Sequence, residues 1–236
     1  MQKQVKLVNE LMLLQNKKIA EHSQRFFKTG IGEYGEGDLF LGIRVPVLRK
    51  ISKKYKSIEF PAIQYLIESK FHEVRLLALF ILVIKFKRAK TTGKQKEIFD
   101  FYLQNCNYVN NWDLVDSSAH YILGPWLLNR DRQLLFQMAV SKNLWQRRIA
   151  IMTTFHFIKN EDYSDTLKLA EVLLHDSEGL IHKAVGWMLR EVGNKDKPTL
   201  ELFLVKHYKK MPRTMLRYAI EKISKEERKE YLEGRK

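Results

Sequence analysis

The sequence is poor in the residues that cross-link a fold. A single cysteine, Cys106, among 236 residues excludes an intramolecular disulfide and a zinc site built from paired cysteines. The longest apolar run, residues 76–84, is nine residues long and too short to cross a bilayer. The first residues lead into an interrupted amphipathic stretch rather than a hydrophobic signal segment. We therefore expect a soluble cytoplasmic protein without a membrane partner.

Acidic residues are also scarce relative to basic ones. The chain has 27 Asp and Glu against 42 Lys and Arg, a formal net charge of +15. This excess favours a polyanionic partner, nucleic acid first and an anionic membrane surface second. The cations are spread along the chain rather than held in one tail, which indicates a basic face on a rigid scaffold. Solvated lysines that serve only solubility are the alternative interpretation.

Proline and glycine mark the ends of helices. Four of the five prolines, Pro46, Pro61, Pro198 and Pro212, stand at the start of an amphipathic stretch, and the fifth, Pro125, is expected to restart a helix. Five of the eleven glycines fall between residues 30 and 42, which predicts one long loop. No convincing run of alternating strand residues occurs. The chain is predicted to be all-α.

A repeated amphipathic segment gives the architecture. Its third residue recurs at positions 75, 116, 148, 183 and 217, with spacings of 41, 32, 35 and 34. This period is typical of paired-helix repeats, and the degenerate pattern favours the HEAT type. We predict a right-handed α-solenoid of about six HEAT-like helix pairs with a basic concave groove. The length allows one large or two small domains, and the repeat favours a single domain over residues 1–236.

The recurring position carries charges that are expected to share a face. Its residues are Arg75, Asp116, Arg148, Lys183 and Arg217. For Arg75 we favour a structural role, bonding the neighbouring repeat. Asp116 breaks the positive column and would repel phosphate, so it does not suit plain DNA binding. It does suit the stabilisation of a positive charge, such as an alkylated purine or the oxocarbenium sugar formed when that base leaves.

Two tryptophans accompany this column. Trp112 precedes Asp116 by four residues, and Trp187 follows Lys183 by four, so each pair shares a helix face. Both rings are either core residues or exposed in the groove, where they would stack on nucleotides. The other two tryptophans, Trp126 and Trp145, stand among Leu and Ile and are predicted to be core residues.

Four segments, residues 40–46, 111–116, 144–148 and 183–191, together resemble the DNA alkylation repair family of AlkD-like DNA glycosylases. The resemblance implies a HEAT-like fold and excision of cationic N3- and N7-alkylated purines, such as 3-methyladenine and 7-methylguanine, from duplex DNA. It implies that Asp116 is the catalytic aspartate, that Trp112 and Trp187 line the groove and that Arg148 contacts DNA. Lys183 and Arg147 complete the predicted DNA-binding set.

The same resemblance leaves one position open. Arg44 stands where some members carry a smaller polar residue, and it either contacts phosphate or pairs with an acid of the glycine-rich loop. No cofactor or metal is expected, since the seven histidines lack HxxxH or HExxH spacing and are interpreted as packing or surface residues. No lysine stands out as a Schiff-base nucleophile, which predicts a monofunctional glycosylase.

The expected partner is double-stranded DNA carrying alkylated bases, bound by a monomer that associates with the nucleoid. Two other functions remain open at this point. The first is a non-catalytic HEAT-repeat protein for branched or bent DNA, which would have no use for Asp116. The second is a protein-binding scaffold, which does not explain the charge of +15.

Overall fold

The computed structural model describes residues 2–236, with side chains from residue 4 onward. Within these residues the chain forms fifteen α-helices and one short 3-10 helix, Cys106–Tyr108, and no strand beyond an isolated bridge between Leu39 and Phe71. The all-α prediction is confirmed. The helices are α1 Gln2–Met12, α2 Lys17–Phe26, α3 Val45–Lys54, α4 Phe60–Ile67, α5 His72–Arg88, α6 Thr92–Gln104, α7 Trp112–Asp116, α8 Ala119–Leu127, α9 Gln133–Ala139, α10 Leu144–Lys159, α11 Ser164–Val172, α12 Gly179–Lys195, α13 Lys197–His207, α14 Arg213–Ala219 and α15 Lys225–Glu233.

The chain divides into two compact units, an N-terminal unit of Met1–Ser118 and a C-terminal unit of Ala119–Lys236. None of the helices that the structure describes is long and apolar enough to span a membrane. The single domain over residues 1–236, the right-handed superhelix and the concave basic groove stay predictions.

The N-terminal unit is built around α5. All residues from His72 to Val83 are buried, because α3, α4, α6 and α7 pack around this helix. A helix that is apolar on all sides is typical of a core position rather than a surface one. The nine-residue apolar run of the sequence is therefore the centre of this unit.

The C-terminal unit has two layers. Helices α8, α10, α12 and α14 contact one another in that order, and α9, α11 and α13 pack against them. The three helices α10, α12 and α14 begin at residues 144, 179 and 213, so their spacings of 35 and 34 match those predicted from the sequence. Gly186 permits close packing here, since a Cβ at this position would lie 2.4 Å from the Met215 carbonyl oxygen.

Proline positions follow the sequence prediction with one exception. Pro46, Pro61 and Pro198 lie in the first turn of α3, α4 and α13, and Pro212 is the N-cap of α14. The prediction for Pro125 is wrong, because this residue lies inside α8. It is the seventh of the nine residues of α8, so the helix continues through this proline, which supplies no amide for an i→i−4 hydrogen bond, and does not restart after Gly124.

The glycine-rich loop between α2 and α3 contains no helix, as predicted. Glu73 of α5 anchors its end: one carboxylate oxygen accepts from the Leu41 amide at 2.9 Å, and the other accepts from Gly42 and Ile43 at 2.7 and 3.2 Å. Gly42 has a φ of +79°, and a Cβ there would lie 2.1 Å from the Asn16 carbonyl oxygen. Both the backbone conformation and the lack of space therefore require glycine.

Two glycine substitutions in this loop separate these two requirements. Gly37 also has a positive φ, +82°, but open space around its Cα. We expect Gly37→Ala to lose about 1–2 kcal/mol of unfolding free energy from the left-handed backbone alone. Gly42→Ala adds a clash with backbone atoms and should lose about 3 kcal/mol or more. Urea denaturation of both variants checks this, and equal losses would contradict the close approach at Gly42.

Candidate nucleic-acid interface and active site

The predicted site residues divide between the two units. Trp112 and Asp116 are the first and last residues of α7 in the N-terminal unit, one helical turn apart. Both side chains are half-buried. Asn111 begins the helix, and its side-chain oxygen accepts from the Trp112 amide at 2.8 Å. The predicted pairing of Trp112 and Asp116 on one helix is confirmed.

An aromatic cluster covers part of Trp112. Its ring stacks on Phe27 with a centroid distance of 5.2 Å and an interplanar angle of 16°, and Phe26 meets it edge-on at 6.0 Å. Phe27 continues to Phe40, whose ring stacks in turn on His72 at 4.6 Å. Trp112 is therefore not a core residue, because it stays partly accessible while its aromatic neighbours hold its orientation, and its place in a groove stays a prediction.

A cleft of about 900 Å³ opens beside this cluster in the N-terminal unit. Phe27, Phe40, Ile43 and Leu76 form its apolar part, and Asp113 of α7 lies in its wall. A volume in this range with an apolar interior and a few polar groups is typical of ligand sites. The cleft and α7 are thus parts of one surface.

Three cations border this cleft. Lys18 and Arg25 come from α2, and Arg44 comes from the N-cap of α3. All three are exposed, and none forms an ion pair with any residue that the structure describes. Of the two roles left open for Arg44, pairing with an acid of the glycine-rich loop is therefore not observed. These side chains form a basic rim that is available to an anionic ligand.

A buried ionic network lies behind the cleft. His72, which is 1% exposed, contacts Asp38 through Nδ1 at 3.1 Å and Asp113 through Nε2 at 2.8 Å. Arg75 donates to the other oxygen of Asp38 at 2.6 Å and to the Ser69 carbonyl at 3.0 Å. The structural role predicted for Arg75 is confirmed, although its partner is the glycine-rich loop and not a neighbouring repeat.

The network changes the acidity of its members. Burial disfavours the imidazolium, but the charge of Asp113 and the hydrogen bonds to Asp113 and Asp38 outweigh it and raise the pKa of His72 to about 9. Burial also opposes the charge on Asp38, yet the hydrogen bond from His72 and the charge of Arg75 lower the pKa of Asp38 overall. His72 is therefore a cation at neutral pH.

The remaining predicted site residues lie on α10 and α12 of the C-terminal unit, which pack together. Arg148 is 4% exposed, and its Nη1 donates to the Leu180 carbonyl of α12 at 2.6 Å. Lys183 of α12 is exposed. Trp187 is half-buried, donates from Nε1 to Glu191 at 2.9 Å and meets Phe155 of α10 at 5.9 Å. These contacts orient Arg148 and Trp187 and leave Lys183 facing solvent.

Arg147 forms hydrogen bonds with Asp176 and with two backbone carbonyls that precede α10. Its Nε and Nη2 donate to both oxygens of Asp176 at 2.6 and 3.2 Å, and Nη1 donates to the Ser141 and Lys142 carbonyls. Arg147 therefore links the start of α10 to the segment before α12. Its contact with DNA stays a prediction, as do those of Arg148 and Lys183.

The prediction that Trp126 and Trp145 are core residues is confirmed, since they are 8% and 7% exposed. Sequence reasoning missed His72, Asp38 and Asp113 as parts of the site. Its interpretation of every histidine as a packing or surface residue overlooked the two carboxylates that meet His72. The available signal was Asp113, a second acid inside the recognised segment 111–116 and three residues before Asp116.

The fold is that of an all-helical repeat protein, and comparison with known proteins names its family. A family model described as "DNA alkylation repair enzyme" matches residues 7–223, so the chain belongs to that family. It is accordingly an enzyme of DNA alkylation repair that interacts with DNA. No curated protein matches the sequence significantly.

Solved structures share the fold at low sequence identity. One, described as a "predicted DNA alkylation repair enzyme" from Enterococcus faecalis, is 16% identical with a TM-score of 0.69, and the match covers 89% of this chain and 97% of that one. AlkD2 from Streptococcus mutans is 18% identical with a TM-score of 0.56, covering 77% of this chain and 91% of that one. At these identities the likeness concerns the fold.

The shifted acidity of His72 predicts a pH-dependent stability. A pKa raised from 6.5 to about 9 contributes stability that is fully present below pH 6.5 and is lost as pH rises through 9. The contribution amounts to as much as about 3 kcal/mol. We expect the unfolding free energy of the wild type minus that of His72→Gln to fall between pH 6.5 and 10 in urea denaturation. Titrations common to both proteins cancel in this difference, and a pH-independent difference would contradict the imidazolium.

Proposed function

We propose that the chain is a DNA glycosylase that hydrolyses the N-glycosidic bond of cationic N3- and N7-alkylated purines in duplex DNA. The observation that carries the proposal is the placement of a half-buried carboxylate, Asp116, one turn from Trp112 on a helix that also borders a basic cleft. Membership of the DNA alkylation repair family supports the same substrate class.

The chemistry requires little of the protein beyond charge and position. An alkylated purine is already cationic and leaves as a neutral base, so no acid is needed to protonate it. Positive charge then develops on the deoxyribose, and a carboxylate held nearby stabilises it. Partial burial of Asp116 strengthens this attraction, because fewer water molecules screen it. Water adds at the sugar C1′ and loses a proton, which completes the hydrolysis.

The cations hold the DNA backbone in this proposal. In the N-terminal unit, Lys18, Arg25 and Arg44 are exposed and lack ion-pair partners among the described residues, so a phosphate meets no competing carboxylate on them. In the C-terminal unit, the exposed Lys183 takes the same role. Arg148 donates to the Leu180 carbonyl, and its contact with phosphate is part of the proposal.

The carboxylate is tested by Asp116→Asn. The amide keeps the shape but removes the negative charge, so release of 3-methyladenine or 7-methylguanine from methylated duplex DNA should fall on the order of 100-fold. Affinity for DNA should stay equal or rise, because a charge that repels phosphate is lost. Chromatography of the released bases and fluorescence anisotropy measure the two quantities.

The matched control is Asp100→Asn, a half-buried acid of α6 paired with Lys96, which should release bases at the wild-type rate. Normal excision by Asp116→Asn would show that the carboxylate is assigned wrongly. Absence of release above the spontaneous rate by the wild type would instead favour the non-catalytic DNA-binding function.

The predicted phosphate contacts of both units are tested by single neutral substitutions. Arg44→Gln and Lys183→Gln should each weaken DNA binding and reduce the slope of log affinity against log salt by about one, as the loss of one phosphate contact does. Lys206→Gln removes the same charge from an exposed position on α13 and serves as the control. Anisotropy between about 50 and 200 mM salt gives the slopes. A slope that changes equally in all three variants would indicate a nonspecific effect of net charge.

A further inference from the structure

Helix α7 is too short to hold its own position. It has five residues, and an isolated helix of this length has no stability in water. Yet it carries both Trp112 and Asp116, whose orientation the proposed reaction requires. The placement of α7 therefore depends on side chains outside the helix.

The strongest of these contacts is ionic. Asp113, in the first turn of α7, accepts from His72 Nε2 at 2.8 Å. The other nitrogen of His72 contacts Asp38 at 3.1 Å, and Asn111, which is fully buried, lies 3.4 Å from the same carboxylate. The glycine-rich loop is thus connected to α7 by two routes, the shorter contacts running through the His72 ring and a longer one through the Asn111 amide at the N-cap of the helix.

The geometry sets the protonation state of this ring. A carboxylate only accepts hydrogen bonds, so an imidazole that donates to two carboxylates must carry a proton on each nitrogen. The charges of Asp38 and Asp113 are then balanced by those of His72 and Arg75, so these four side chains together carry no net charge. Loss of one proton leaves a buried carboxylate without its donor, which is costly.

We propose that His72 is a positioning residue for the reaction: its imidazolium bridges Asp38 and Asp113, fixes α7 and thereby aims Asp116. The inference rests on the proposed function for the role of Asp116, but not for the placement of α7. His72 touches neither the substrate nor the reacting atoms in this scheme. Its effect passes through the backbone of α7.

The proposal implies an alkaline limit on activity. The charged groups around His72 are Asp38 from the loop, Asp113 from α7, and Arg75 and Glu73 from α5, while Arg25 and Arg44 border the same cleft. The two carboxylates raise the pKa of His72 to about 9, since their charges and hydrogen bonds outweigh the effect of burial. Base release should therefore decline as pH rises through about 9.

Two variants and one control test the proposal by single-turnover base release. His72→Gln retains one amide donor for two carboxylates, so the rate at pH 7 should fall about tenfold or more, while the Kd for DNA changes less than about twofold. Asp113→Asn removes the charge that raises the pKa of His72, so the alkaline midpoint should move at least one unit towards 6.5. His175→Gln, at an exposed position of the C-terminal unit, should leave rate and midpoint unchanged.

Hydrogen exchange of the α7 amides at pH 7 gives a readout that does not need activity. We expect faster exchange in His72→Gln than in the wild type or His175→Gln. If the wild type releases no base, the proposed function fails, and exchange alone then supports or overturns the positioning of α7.

Wild-type rates and midpoints in both variants, or unchanged exchange in His72→Gln, would overturn the proposal. So would a loss of rate that follows the loss of DNA affinity alone. If His72→Gln does not fold, the wild type and Asp113→Asn still decide the matter through the position of the alkaline midpoint.

Discussion

Buried carboxylates hold the N-terminal unit together where regular secondary structure is missing. The glycine-rich loop has no helix of its own, and Glu73 and Asp38 connect it to α5. Each carboxylate accepts hydrogen bonds from local donors, three backbone amides for Glu73 and the Arg75 and His72 side chains for Asp38. Because an uncompensated buried charge is strongly destabilising, these partners define one arrangement of the loop.

Asp38 also connects the glycine-rich loop to α7, the helix that carries the proposed catalytic residue Asp116. Asp38 meets His72, His72 meets Asp113, and Asp113 belongs to the short helix that ends at Asp116. The aromatic stack from Trp112 through Phe27 runs beside this ionic chain. A helix of one turn is thereby placed by two independent kinds of contact, one electrostatic and one dispersive.

The basic residues of the chain have two roles, ion pairing within the fold and bordering the cleft, and the amino-acid composition does not distinguish them. Several arginines of the C-terminal unit join segments that are about thirty residues apart in the sequence: Arg132 pairs with Asp162 and Asp165, Arg147 pairs with Asp176, and Arg190 pairs with Glu221. Lys18, Arg25 and Arg44 of the N-terminal unit border the cleft without such partners among the described residues. Structural arginines and cations available to phosphate thus differ in whether a carboxylate lies within reach.

Much of the fold follows from local pattern, because helix periodicity, proline at the first turn and clustered glycines act over a few residues. These signals place the helix starts at Pro46, Pro61 and Pro198, the long loop, and the spacing of α10, α12 and α14. The pairing of Trp112 with Asp116 needs only one helical turn, so it too is visible in the sequence. Pro125, inside α8, shows where a local signal fails because packing overrides it.

The sequence by itself determined the helical class, the repeat period and the residues that mark the family, since each depends on neighbours along the chain. Only the tertiary structure decided which charges are neutralised and which remain available to a ligand. His72 finds its carboxylates 34 and 41 residues away, and Arg147 finds Asp176 29 residues away. Burial and ion pairing depend on such distant contacts, and no spacing within one helix encodes them.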